Sequence, residues 1–242
     1  MANLLIEIGN TALKAAWSEG MTLGKTYRYQ GEKKTEFIIS LQQDGIPDAM
    51  VVASVYDIPP SEEKKLRKVF PDFILLDPSH NSLLSRYGLP QFLTFDRAAA
   101  LIGASYLFKD KSCTVMDFGT TLTVDFISSD GSYQGGNISL GCRTRFKAIG
   151  RYARALPTVN IPENPSETGL STVSSIEAGV ISGIMFEIQG YIDSRPDNIV
   201  VFTGGDAFYF AKRMKNSIFV VCNLVLMGLA LITEDYVEKN IQ

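Results

Sequence analysis

Asn3-Leu4-Leu5-Ile6-Glu7-Ile8 is an apolar run closed by Gly9-Asn10, and Thr11 to Trp17 leads back out of that turn. An apolar stretch, a Gly-Asn turn and a second stretch are the signals of a β-hairpin. The plan recurs in Thr114-Val115-Met116-Asp117-Phe118-Gly119-Thr120-Thr121-Leu122-Thr123-Val124-Asp125-Phe126. Aligning Glu7 with Asp117 sets Gly9 on Gly119 and Thr11 on Thr121, an offset close to half of the 242-residue chain. A matched pair at that spacing predicts two copies of one fold, here bounded at 1–111 and 112–242.

Each copy continues in the same manner. Ala49 to Val55 reads as a further strand in the first half, and Asn198 to Phe202, followed by Thr203-Gly204-Gly205, as one in the second. Helices are expected over 61–69, 95–108, 145–155, 172–191, 207–215 and 224–238, with the Pro-rich stretch from Leu156 to Pro165 as a surface loop. Strands alternating with helices place the chain in the α/β class.

Composition narrows the function classes. Hydrophobic residues make up 45% and charged residues 20%, the balance of a globular chain. Lys and Arg total 23 against 26 Asp and Glu, and the basic residues are scattered, which argues against a nucleic-acid or anionic-membrane surface. Met1-Ala2-Asn3 runs straight into a strand without the basic flank of a signal peptide, so a cytoplasmic location is expected. The apolar run Leu224 to Ile232 is well short of the ~20 residues that cross a bilayer. Cys113, Cys142 and Cys222 are far apart, and His80 is the only histidine, so neither a zinc site nor a disulfide framework is expected. His80 sits in the turn-like Asp77-Pro78-Ser79-His80-Asn81-Ser82 and reads as a surface loop residue.

Two acid-Gly-Thr hairpins offer a site for a nucleotide phosphate. Backbone N–H groups of tight turns and Thr hydroxyls donate to phosphate oxygens, and an acid at the strand end holds Mg²⁺ through water. On this reading Glu7, Gly9, Asn10, Thr11, Asp117, Gly119 and Thr120 form one constellation. The strand running into Gly204-Gly205 ahead of a helix has the shape of a further phosphate or nucleotide site.

Glu7-Ile8-Gly9-Asn10-Thr11 with Lys14, Phe95-Asp96-Arg97, Asp117 to Thr121, Gly135-Gly136-Asn137-Ile138 and Thr203-Gly204-Gly205 together resemble the ordered motifs of the type III pantothenate kinases. The resemblance spans Glu7 to Leu229 and implies two tandem actin-like, ribonuclease H-like domains with ATP in the cleft between them. It also implies a homodimer that phosphorylates pantothenate with Mg²⁺-ATP and requires K⁺ or NH₄⁺. By resemblance, Glu7, Ile8, Gly9, Asn10, Thr11, Lys14 and Thr120 hold ATP and Asp117 is the monovalent-cation ligand. Asp96 is the general base, while Tyr87, Thr94, Phe95, Arg97 and Thr172 hold pantothenate.

The residues themselves fit these roles, because Thr94 is placed to N-cap the next helix, whose positive end favours an ionised Asp96. An Asp in a first helical turn is also ordinary dipole compensation, so this fit alone does not make Asp96 catalytic. Three positions depart from the family: Glu7 stands for the usual Asp, Thr94 for Gly, and Ser139-Leu140-Gly141-Cys142 for a Pro-Gly loop. They leave open a non-catalytic ATP-binding regulator, or a kinase for another small hydroxy acid or sugar, on the same fold.

Overall fold

The computed structural model describes residues 2–240. The opening hairpin is β1 (Ala2–Ile8) and β2 (Leu13–Glu19), paired antiparallel with Glu7 opposite Lys14 and Ile8 opposite Leu13. β3 (Thr22–Tyr29) joins the outer side of β2. After α1 (Lys34–Ser40) the chain enters β4 (Met50–Ser54), parallel to β1; α2 (Pro60–Val69) then crosses to β5 (Phe73–Leu76), parallel to β4. The sheet order is β3-β2-β1-β4-β5. Leu4, Ile6, Leu13, Met50, Val52 and Leu75 pack with Ile38 and Leu66 in one core on a single face. β1 is apolar on both sides because it lies at the centre, covered on both faces.

α3 (Phe95–Leu107) precedes the second hairpin, β6 (Cys113–Phe118) and β7 (Thr121–Ile127). β8 (Tyr133–Leu140), α4 (Cys142–Tyr152), α5 (Thr172–Ser194), β9 (Ile199–Gly204), α6 (Ala207–Ala211), β10 (Ile218–Val220) and α7 (Leu224–Asn240) complete the chain. The second sheet runs β10-β9-β6-β7-β8, which is the first sheet's order repeated, with β6 antiparallel to β7 and parallel to β9. The duplication expected from the hairpins is therefore complete at the level of topology. Phe118, with ring centroids 4.7 Å from Phe202 and 5.3 Å from Phe210, centres the second core.

The chain divides into two compact units. One comprises everything up to Lys109, Gly131–Tyr133 and the segment from Asn223; the other comprises Asp110–Asp130 and Gln134–Cys222. A single cut between 111 and 112 thus differs from the packing, since α7 belongs with the first sheet. The reason is close helix approach: a Cβ on Gly228 would stand 1.9 Å from the Ala99 carbonyl oxygen, and one on Gly103 2.9 Å from that of Leu224. Only glycines let the α3 and α7 backbones meet so closely.

Other boundaries also shift. α4 begins at Cys142 rather than 145, because Gly141 takes the N-cap position and its carbonyl accepts from Arg145 N–H at 3.0 Å. α6 stops at Ala211 rather than 215, where the Arg213 guanidinium turns to the carbonyls of Tyr209 and Glu163. β3, β5, β8 and β10 were not anticipated. β3 and β8 are edge-lying and largely exposed, so their patterns are too polar to announce a strand, and β10 has only three residues.

Candidate active site

The β1–β2 turn carries the first cluster. Glu7 is buried, and Lys14, its cross-strand neighbour, donates to its carboxylate at 3.2 Å. Burial pushes the Glu7 carboxyl above the usual range; Lys14 opposes this, and the charge of Asp96 adds to it. Asp96 is therefore an electrostatic neighbour of the turn. The Gly9 N–H donates to the Ala12 carbonyl at 3.0 Å, so it closes the turn instead of pointing at a ligand as the motif suggests. Ile8 is buried, whereas Asn10 and Thr11 are exposed at the tip.

The second turn is one residue shorter. Phe118 pairs with Leu122, whereas Ile8 pairs with Leu13, so Thr120 and not Thr121 is the spatial counterpart of Thr11. Asp117 lies opposite Thr123, where the first hairpin has Lys14. The Gly119 N–H is again used within the turn, on the Thr121 carbonyl at 3.0 Å. The Thr120 carbonyl anchors the start of α4, accepting from Gly141 N–H at 3.0 Å and Thr144 Oγ1 at 2.6 Å. A Cβ on Gly141 would meet the Gly119 oxygen at 2.1 Å, so glycine is required there.

Behind Asp117 stands Gly204, at φ +91°, where a Cβ would come within 2.3 Å of Asp117 Oδ1. The next turn donates Asp206 N–H to the Phe118 carbonyl at 3.2 Å. Burial raises the Asp206 carboxyl, with Arg143 opposing. The sequence reading missed Asp206 because an Asp ahead of a helix reads as a cap; its side chain makes no capping bond here.

α3 carries the third cluster. Thr94 occupies the N-cap position with extended backbone, but its hydroxyl makes no capping bond, contrary to expectation. Asp96 follows in the first turn, where its Oδ1 accepts the Arg97 N–H at 2.8 Å. Phe95 is 2% exposed and puts its ring into the core. Arg97 is buried, and its Nη2 donates to Tyr133 Oη at 3.1 Å. Tyr87 ends a 3-10 turn (Ser82–Tyr87) and donates to Asp235 Oδ2 of α7 at 3.3 Å; burial, chiefly, raises its phenol. Thr172 is exposed as the first residue of α5, beside the Ser171 cap, in the second unit. His80 does lie half-exposed in its loop, with Nδ1 2.7 Å from the buried Asp77 carboxylate.

The first unit thus brings Glu7, Lys14, Asp96, Arg97 and Tyr87 onto one body, and the second gathers Asp117, Thr120 and Asp206. The model of the type III pantothenate kinase family matches residues 3–194. This chain belongs to the type III pantothenate kinase family. A type III pantothenate kinase of Flavobacterium johnsoniae is 35% identical over 94% of the chain and 95% of its own length. Two solved structures carry the same fold. One is the activator of the 2-hydroxyisocaproyl-CoA dehydratase from Clostridium difficile, determined with bound ADPNP (TM-score 0.59, 13% identity, 99% of this chain and 97% of that one). The other is the ROK hexokinase from Thermus thermophilus (TM-score 0.52, 11% identity, 96% and 98%). The fold is therefore that of the actin-like ATPases and sugar kinases, with two tandem α/β domains. Among the described residues no helix is long and apolar enough to cross a membrane.

Proposed function

We propose that this chain transfers the γ-phosphoryl group of ATP to the primary hydroxyl of pantothenate, the first step of coenzyme A biosynthesis. The observation that carries this reading is the match of residues 3–194 to the type III pantothenate kinase family, with Asp96, the candidate base, in the first turn of α3. Phosphoryl transfer needs little covalent chemistry from the protein, so catalysis rests on positioning and charge neutralisation. Asp96 accepts the hydroxyl proton as the acceptor attacks. Arg97 meets the pantothenate carboxylate, for which a planar guanidinium is suited; Tyr87, Thr94 and Thr172 also bind the acceptor, and Phe95, its ring in the core, fixes the backbone beside Asp96.

Glu7, Ile8, Gly9, Asn10, Thr11, Lys14 and Thr120 are the ATP-binding residues. The chemistry of the donor set suits Mg²⁺-ATP, which takes one or two carboxylates and otherwise phosphate oxygens and water. Glu7 supplies such a carboxylate, and Mg²⁺ would neutralise the β- and γ-phosphate charge. Asp117 holds K⁺ or NH₄⁺; the close seat of its carboxylate over Gly204 supports this. A homodimer is supported by the exposed Phe186 of α5 and Ile138 and Leu140 of the edge strand β8. We place the enzyme in the cytoplasm. A coupled assay of ATP turnover with pantothenate, short hydroxy acids and sugars, in K⁺ and in Na⁺ buffers, tests the reading. Turnover restricted to pantothenate and stimulated by K⁺ is expected; ATP binding with no acceptor-dependent turnover would leave a non-catalytic regulator.

A further inference from the structure

Tyr133 is the first residue of β8, yet Gly131–Tyr133 groups with the first unit while the residues on either side belong to the second. The turn that delivers it contains Gly131 at φ +84°, a conformation other residues adopt only under strain. The Tyr133 ring and hydroxyl are both engaged. Its ring meets Phe92 edge-on, with centroids 6.1 Å apart and planes at 65°, and its hydroxyl accepts from Arg97 Nη2 at 3.1 Å. Phe92 is 70% exposed although it is a large aromatic, and it lies in the same segment, 87–97, as the acceptor residues.

We propose that Tyr133 is a positioning residue for the phosphoryl acceptor, setting the plane of the Arg97 guanidinium so that it meets the acceptor's carboxylate. This rests on the reading of Arg97 as the acceptor's cation. A guanidinium pairs with a carboxylate through parallel N–H bonds only when its plane is correctly turned. Arginine carries several rotatable bonds, and each one already ordered before binding lowers the entropy lost on binding. The α3 backbone fixes where Arg97 starts, and Asp96 accepts its main-chain N–H, but neither sets the far end of the side chain. The Tyr133 hydroxyl is a partner at that end, accepting from Arg97 Nη2, and Phe92 packs on the Tyr133 ring. Because the carboxylate is remote from the reacting hydroxyl, the effect falls on acceptor binding more than on turnover.

The test compares wild type, Tyr133→Phe, Arg97→Lys and the double variant, with pantothenate and ATP varied separately and melting curves recorded on the same preparations. Tyr133→Phe keeps the ring against Phe92 and loses only the hydroxyl, so it is expected to melt like wild type. Its KM for pantothenate should rise about five- to tenfold, the size of one ordinary net hydrogen bond, while kcat and the KM for ATP stay close to wild type. In the Arg97→Lys background the same change should have little further effect, since the group it orients is gone. An unchanged KM for pantothenate, an equal rise in the KM for both substrates, or full additivity in the double variant overturns the proposal. A wild type that does not turn over pantothenate instead defeats the functional reading on which the proposal rests.

Discussion

Gly204 and Asp117 are in contact through a missing atom: a Cβ on Gly204 would stand 2.3 Å from Asp117 Oδ1 and 2.6 Å from Phe118 N. The position also needs φ +91°, so two independent constraints select glycine. Gly204→Ala is expected to cost about 1–3 kcal/mol from backbone strain alone, with the Asp117 carboxylate displaced as well. Melting curves should show the loss of stability, and turnover in K⁺ buffer should fall even at temperatures where the variant stays folded. An alanine variant with wild-type stability would mean that the β9 turn relaxes freely.

Asp96→Asn keeps the side-chain size and can still accept the Arg97 N–H, which Asp96 Oδ1 accepts at 2.8 Å, but it cannot take a proton. The kcat should fall about 10²- to 10⁴-fold. ATP affinity and melting temperature should stay near those of wild type, because Asn keeps the side-chain shape and Asp96 is the weakest of the influences on Glu7 at the phosphate turn. Single-turnover kinetics and nucleotide titration on one preparation check this.

Glu7 makes stability depend on pH in a specified direction. Its carboxyl is raised from the ordinary 4.5, chiefly by burial, so the folded protein retains a proton that the unfolded chain has released. In the window from 4.5 up to the folded value, this group's contribution to stability is lost as pH rises. Glu7→Gln mimics the neutral form at every pH, so its melting temperature relative to wild type should improve as pH rises above 4.5. A trend in the opposite sense would show that the attraction of Lys14 outweighs burial.

Gly228→Ala should loosen α7 from α3, because the new methyl would stand 1.9 Å from the Ala99 carbonyl oxygen. Overpacking of this kind costs about 1–3 kcal/mol. Chemical denaturation should show the loss, and hydrogen exchange should rise first in α7. An equivalent alanine at Gly179 of α5, where a Cβ meets nothing within 4 Å, should leave stability nearly unchanged.

The duplication was legible in the sequence because each copy begins with a central strand. A strand buried on both faces is almost uninterrupted in its apolar residues, and the acid-Gly-Thr turn that ends it has few local alternatives, so Glu7 to Thr11 and Asp117 to Thr121 announce themselves. The motifs likewise marked Asp96, Arg97 and Asp117 without any knowledge of their neighbours. The remaining features depend on residues far apart in the chain. The edge strands β3 and β8 are specified by pairing rather than by pattern, and α7 packs with the first unit where Gly103 and Gly228 let two helices far apart in the sequence approach closely. Tyr133 and Arg97 are 36 positions apart, and the Asp206 carboxyl is shifted by burial that no local signal records. Local propensity and periodicity act over a few residues, so they determine strands, turns and motifs; burial, close backbone approach and side-chain partners are properties of the assembled chain and were decided by the tertiary structure alone.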